Sequence, residues 1–163
     1  MGNQETHSDP TETYEALRSQ ALEAESRGLI AADGTTPEIA GLVVDIPTGQ
    51  GSYATLVALR DGTSSLYLST GGGVIGAGFH EPVRAAVSAL LIALGEYLPE
   101  WPLDDDTRHP LADRVKFFAL TSAGRRMREV PESAFWGRER HELTPLIAKV
   151  RALVGAVRAV SPN

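Results

Sequence analysis

Five of the sixteen glycines in this chain lie within Ser69–Gly78. Glycine costs conformational entropy on folding, so such a cluster indicates a backbone that turns tightly, packs closely or contacts a ligand. The spacing Gly71-x-Gly73-x-x-Gly76 has the letters of the dinucleotide-binding fingerprint, but that fingerprint requires a parallel βαβ unit. The strand before these glycines is instead predicted to belong to a hairpin. No Lys-Ser or Lys-Thr pair follows, which excludes a Walker phosphate loop.

An anion site is the chemical interpretation that this stretch still allows. Backbone amides near a helix N-terminus bind phosphate or carboxylate without a formal motif, and a helix is predicted to begin directly after the glycines. The competing interpretation is a structural crossover loop or an oligomer contact. If the site exists, its ligand-binding residues are Gly71, Gly72, Gly73, Gly76, Gly78, His80 and Arg84.

The other residues that could do chemistry lack the spacing of a known site. Asp104–Asp106 could hold a hard cation, but a calcium loop needs glycine and glutamate where this chain has His109 and Val115. No Gly-x-Ser-x-Gly elbow is present. His80 or His109 could still meet a serine or an acid in space. We expect no metal and no cofactor, because metal-ligand spacing is also missing among His7, His80, His109 and His141.

Composition narrows the class of protein. The chain has 163 residues, 42% hydrophobic and 22% charged, which is ordinary for one soluble globular domain. It has no cysteine, which excludes disulfides, thiolate metal sites and a cysteine nucleophile. No apolar run reaches the roughly 18 residues of a membrane span, and the polar N-terminus has no signal pattern. We therefore expect a cytoplasmic protein that does not contact a membrane.

Charge is distributed unevenly along the chain. The net charge is −7 over residues 1–50, −4 over 51–112 and +5 over 113–163. An acidic first part and a basic last part could attract each other within one chain or between two. Nucleic-acid binding is the less favoured interpretation of the basic part, because the overall pI is 5.2. The arginines that would carry it are Arg125, Arg126, Arg128, Arg138 and Arg140.

The first half of the chain predicts one helix and three strands. Residues 1–8 are predicted to be a disordered tail, and 9–163 a single domain. Asp9 and Pro10 are typical of a helix start and Gly28 of a helix end, which predicts a helix over 10–27. Strands follow over 42–46, 52–60 and 63–70. Asp61-Gly62 predicts a two-residue hairpin turn between the last two strands.

The second helix is predicted from Pro82 to Leu98 and is apolar on almost every side. Such a helix must be covered on almost every side, and one sheet covers only one face. The remainder requires another helix or a second subunit. The residues predicted to form a homodimer interface are Val87, Leu90, Leu91 and Leu94.

The last part of the chain predicts strands over 114–121 and 125–130, a short helical turn over 131–136, and a helix from a Thr144 cap to about Val160. The predicted element order is helix, three strands, helix, two strands, helix. This order is typical of an α+β fold, with an antiparallel five-stranded sheet and helices covering one face.

By element order, together with the small acidic chain and the apolar middle helix, the sequence over 10–160 resembles the class I type III secretion chaperones and their relatives. The segment Ala54–Gly78 is also similar to stretches of small bacterial proteins, which implies no function. The chaperone resemblance implies a homodimer whose interface is built on the middle helix. With no catalytic constellation in the sequence, we predict a non-enzymatic protein-binding module, chaperone-like or adaptor-like, with a protein partner. The alternative is a small-molecule or anion-binding domain, possibly an enzyme, at loop 71–78.

Overall fold

Ten helices and strands follow one another in the part of the chain that the computed structural model describes, residues 9–23 and 39–161. The predicted tail 1–8 and the predicted helix end at Gly28 lie outside these residues. The helices are α1 (Pro10–Leu22), α2 (Glu81–Tyr97), α3 (Glu132–Phe135) and α4 (Thr144–Ala159). The strands are β1 (Ile39–Gly49), β2 (Ser52–Leu59), β3 (Ser64–Leu68), β4 (Gly73–Val74), β5 (Arg114–Thr121) and β6 (Gly124–Pro131).

The six strands form one antiparallel sheet in the order β4-β3-β2-β1-β5-β6. The α+β class and the antiparallel sheet are therefore confirmed, whereas the expected count of five strands was wrong. The additional strand, β4, lies inside the glycine run, where Gly73 pairs with Tyr67 and Val74 with Leu66. The predicted short helical turn is α3.

The turn between β2 and β3 contains the expected Asp61-Gly62 but is one residue longer than predicted. The backbone N–H of Leu59 donates to the carbonyl of Thr63, so Arg60, Asp61 and Gly62 form a three-residue loop. Gly62 has a φ of 94°, and the Asp61 carboxylate accepts from the N–H of Thr63 at 2.8 Å. A three-residue hairpin loop needs such a left-handed residue, which glycine adopts without steric cost.

The main core lies between one face of the sheet and helices α2 and α4. Alternate residues of each strand point into it because strand side chains alternate between faces. α2 contributes Val83, Val87, Leu90 and Leu94, and α4 contributes a stripe that includes Val150, Leu153 and Val157. The sheet side of this core includes Leu42, Val44, Leu56, Phe117 and Ala119.

α1 covers the opposite face of the sheet, so the expectation that all helices cover one face was wrong. Its Ala21 and Leu22 pack with Val43, Val57 and Phe118, which point away from α2 and α4. The central strands are therefore apolar on both faces, as strands between two helical layers must be. Asp9 caps α1 as predicted, accepting a hydrogen bond from the Thr11 N–H at 3.0 Å.

The predicted cap of the last helix was wrong. Leu143 occupies the N-cap position of α4 and makes no side-chain capping bond. The Thr144 hydroxyl instead accepts from the His141 N–H at 3.1 Å. Thr144 therefore closes the turn before the helix rather than the first turn of the helix itself.

Candidate functional site

A group of buried polar side chains lies between α1 and the sheet. At its centre is Asp45 on β1, whose side chain is 0% exposed. The guanidinium of Arg18 on α1 donates to both carboxylate oxygens, with Nη2 2.7 Å from Oδ2 and Nε 3.2 Å from Oδ1. The Thr55 hydroxyl on β2 donates to Oδ1 at 2.7 Å. Both oxygens of this carboxylate are thus satisfied within the protein.

Tyr14 extends this cluster along α1. Its hydroxyl lies 2.6 Å from the Thr55 Oγ1, and since Thr55 gives its own proton to Asp45, Tyr14 is the donor. Burial raises the pKa of Tyr14 well above its usual range, and the charge of Asp45 raises it further. Burial alone would lower the pKa of Arg18, but the hydrogen bonds and charge of Asp45 raise it. At neutral pH Tyr14 is therefore neutral and Arg18 is charged.

His109 lies at the rim of the same cluster, with its side chain 23% exposed. Its ring stacks on Tyr53 at a centroid distance of 4.4 Å and on Tyr14 at 5.8 Å. Nε2 lies 2.8 Å from the Glu15 carboxylate and Nδ1 3.8 Å from Oδ2 of Asp45. Nδ1 has no hydrogen-bond partner among the described residues. His109 therefore lies beside two acids, Glu15 and Asp45, which is one of the arrangements that the sequence left open.

Further hydrogen bonds attach the chain segment Thr107–Pro110 to this cluster. Arg18 donates to the carbonyl of Thr107 at 2.5 Å, and Lys116 donates to the carbonyl of Arg108 at 2.8 Å. The Tyr53 hydroxyl donates to the carbonyl of Pro110 at 2.8 Å. The cluster therefore joins α1, three strands and this segment, and its polar groups are committed to holding them together.

The glycines of the 71–78 stretch each meet a local steric demand. Gly71, Gly72, Gly73 and Gly76 have φ between 74° and 134°, which L side chains rarely adopt. A Cβ on Gly73 would overlap the carbonyl oxygen of Leu66, and a Cβ on Gly78 would overlap that of Gly62. Tight turning and close packing therefore account for these glycines without a ligand.

Four of the seven predicted ligand-binding residues line three different cavities. Gly71 and Gly72 line a small cavity of about 260 Å³ beside α1, whereas Gly73 lines a groove beside α4. Arg84 lines a third cavity and donates to the carbonyls of Gly78 and Phe79 at 3.2 Å and 2.9 Å. His80 occupies the N-cap position of α2, where its side chain makes no capping bond.

The four predicted interface residues of α2 divide between the core and the surface. Val87, Leu90 and Leu94 are buried against the sheet and α4, and Leu91 is partly buried. On the other side of α2, four exposed positions follow helical spacing: Ala85, Ser88, Ala89 and Ile92, which we call the outer face of α2. The remaining exposed positions of α2 are Glu81, Pro82, Arg84, Gly95 and Glu96.

The acidic segment Asp104–Asp106 is organised by its own chain. The Asp104 carboxylate accepts from the N–H of Asp106, and Asp106 pairs with the Arg108 guanidinium at 2.8 Å. Hydrogen bonds from Arg108 hold the pKa of Asp106 well below its usual range. The described residues contain no group of three or more histidines and acids placed to hold a metal ion.

A half-open groove of about 570 Å³ lies between α4 and the part of the sheet formed by β1 to β4, and we call it the α4 groove. Its floor includes Ile46, Ala54 and Leu66, and α4 contributes Val154 and Arg158. Trp136, which is 43% exposed, stands at its border. Trp101 and Phe135, by contrast, are core residues.

Comparison with known proteins adds no further assignment. No family model, no curated protein and no solved structure matches this chain. The functional interpretation therefore rests on the residues and their geometry.

The buried polar cluster is the feature that sequence reasoning missed. Its members lie far apart in the chain, and the Glu15–His109 contact spans 94 positions. One signal was present: Asp45 stands inside the apolar run Leu42–Ile46. A buried strand tolerates a carboxylate only when it is paired, so Asp45 alone predicts a basic partner from another element.

Proposed function

We propose that this chain is a non-enzymatic protein-binding module that acts as a homodimer, chaperone-like or adaptor-like. The observation that carries the proposal is the mismatch between the composition and the burial of α2. Over Glu81–Glu100 the chain is apolar enough to be a candidate membrane span by length and composition, yet only 28% of this stretch is buried. A water-soluble helix of this composition needs a second surface to cover it.

The inner face of α2 favours a protein partner over a lipid one. Val83, Val87, Leu90 and Leu94 are already packed in the core against the sheet and α4. Only the outer face then needs a cover. Its small residues allow another helix to approach closely, and Ile92, 73% exposed, supplies a large apolar contact. The opposite charges of the first and last parts of the chain would orient two copies.

The alternative, an anion or small-molecule site at loop 71–78, has less support. Its glycines are explained by turning and packing, and four of its residues line three different cavities. The Arg84 guanidinium donates to the backbone carbonyls of Gly78 and Phe79.

Ile92→Glu tests the dimer directly. The wild-type chain should sediment as a dimer at micromolar concentration, and a charge on the outer face of α2 should give a folded monomer. Ile92 is exposed within one chain, so the substitution should leave the circular dichroism spectrum and the unfolding midpoint of the monomer unchanged. Analytical ultracentrifugation measures the assembly.

Leu111→Glu is the matched control, because Leu111 is 76% exposed and lies on the loop before β5, away from α2. It should remain dimeric. A wild-type chain that sediments as a monomer across the micromolar range would overturn the proposal, and so would an Ile92→Glu variant that stays dimeric.

A further inference from the structure

We propose that the α4 groove binds an extended segment of a partner protein that carries apolar side chains beside acidic ones. This inference rests on the proposed function and deepens it, because it names the surface and the chemistry of the partner. It concerns a surface different from the outer face of α2.

The walls of the groove are suited to apolar side chains. Ile46, Ala54 and Leu66 are buried strand residues on its floor, and Leu68, Val74 and Val154 are partly buried around them. A volume of about 570 Å³ is within the range that binds organic ligands or a few side chains. Burying a Leu or Phe side chain there would contribute stabilisation through the hydrophobic effect.

One residue that lines the groove, Arg158, is basic, and three further arginines are close to the border residue Trp136 in space or in the chain. Arg158 is exposed, and the Arg151 guanidinium lies 5.9 Å from the ring centroid of Trp136. Arg138 and Arg140 follow Trp136 in the chain and are exposed. Within residues 9–23 and 39–161, no carboxylate forms an ion pair with any of these four arginines. Their charge is therefore available to an acidic partner.

The position of the groove at the sheet edge favours an extended peptide. It is bordered by Gly73 and Val74 of β4, which is the outermost strand on this side. Such an edge can accept the backbone of an added strand while neighbouring pockets accept alternate side chains. An extended segment with apolar and acidic residues could pair its backbone with the strand edge, place its apolar side chains on the floor and place its acids beside the arginines.

The test selects peptides from a random-sequence display library on the purified full chain and measures binding of the synthesised, labelled winners by fluorescence anisotropy. We expect enrichment of Leu, Ile or Phe together with Asp or Glu. Arg158→Glu should weaken these peptides by about tenfold or more, the scale of one interfacial charge contact. Lys149→Glu is the matched control, the same charge reversal at an exposed position of α4 outside the groove lining, and should bind like wild type.

Three results would overturn the proposal. The first is a selection without apolar and acidic enrichment, or winners that bind Arg158→Glu as tightly as wild type. The second is binding of sodium decanoate in the groove with no peptide consensus, which would make it a site for a small amphipathic anion. The third is dissociation of the dimer by Arg158→Glu, which would make a second copy the occupant.

The peptide-binding proposal and the dimer proposal can be tested independently. Ile92→Glu should release monomers whose α4 groove still binds the selected peptides with unchanged affinity. If the wild-type chain binds peptides but never dimerises, the groove proposal is supported and the dimer proposal is wrong. If the chain dimerises but selects no peptides, the dimer proposal is supported and the groove proposal is wrong.

Discussion

A buried carboxylate is stable only while its partners stay in place, and Asp45 has partners from α1 and β2. Arg18 and Thr55 occupy its two oxygens, and Tyr14 donates to Thr55 in turn. At the scale of single residues, these bonds determine how α1 lies on the sheet. The apolar contacts of Ala21 and Leu22 add buried surface but do little to fix the orientation of α1, because hydrophobic burial is not directional.

Asp45→Ala should destabilise the protein by about 3–5 kcal/mol, because it leaves the Arg18 guanidinium buried without a counter-ion. The double variant Arg18→Met/Asp45→Leu should regain most of this loss, since it removes both charges. Denaturant unfolding of the two variants measures the difference. Asp106→Ala is the control, because its ion pair with Arg108 lies at the surface and should contribute little. Equal losses for Asp45→Ala and Asp106→Ala would contradict the buried pair.

Tyr14 should make stability fall at alkaline pH. The folded state raises its pKa, so the folded chain holds this proton more tightly than the unfolded chain, whose tyrosine pKa is about 10. The contribution of the neutral Tyr14 is therefore complete below about pH 10 and is lost as pH rises towards the higher folded pKa. Unfolding free energies measured from about pH 9 to about pH 11 should show this loss in the wild type.

Tyr14→Phe should remove that alkaline component, although it also loses the hydrogen bond to Thr55 at every pH. Tyr97→Phe, on α2, keeps Tyr14 and should keep the wild-type pH dependence. An unchanged alkaline loss in Tyr14→Phe would assign the effect to another group.

At the scale of elements, the glycine run is a connection with three tasks. It reverses the chain after β3, contributes β4, and places the segment before α2 against the β2–β3 loop. Gly78 illustrates the last task, because its Cα faces the backbone of Gly62 with no space for a side chain. The connection is therefore defined by backbone contact rather than by side-chain packing.

Gly78→Ala should destabilise the protein by about 1–3 kcal/mol, the usual cost of overpacking, because the added methyl group would overlap a backbone carbonyl that cannot rotate away. Gly155→Ala is the matched control on α4, where no atom lies within 4 Å of the added group. It should stabilise by up to about 1 kcal/mol through helix propensity. Thermal or denaturant unfolding measures both. A neutral Gly78→Ala would show that the loop contact can relax.

The sequence predicted the elements better than their arrangement. Period-2 and helical patterns located five strands and the helices, because these signals are local. β4 was not predicted, because it has only two residues, one of them glycine, and so shows no period-2 pattern. The side of the sheet that α1 covers was also missed, since it depends on the pairing of Arg18 with Asp45, 27 positions apart. The polar cluster was missed for the same reason, because its members are far apart in the chain. Asp45 alone could be recognised as a charged residue in an apolar run.

At the scale of the whole molecule, helices on both faces separate two kinds of surface. The side of α1 is joined to the sheet by satisfied polar groups, whereas the side of α2 and α4 exposes the outer face of α2 and the α4 groove. The sequence predicted the general need for a cover on α2, but not which of its residues stay exposed. Val87, Leu90 and Leu94 face inward because α4 lies beside α2, a contact between helices that no local pattern contains.

The two edges of the sheet differ in a way that limits assembly. At β6, the segment 102–104 occupies the outer backbone groups at Arg125 and Met127: the Met127 N–H donates to the carbonyl of Pro102, and the Asp104 N–H donates to that of Arg125. Growth into a fibre by strand addition requires two usable edges on every copy. A copy joined through β4 would present to the next copy a β6 edge whose first half is already covered, so we expect strand-mediated association to favour a pair over a fibre.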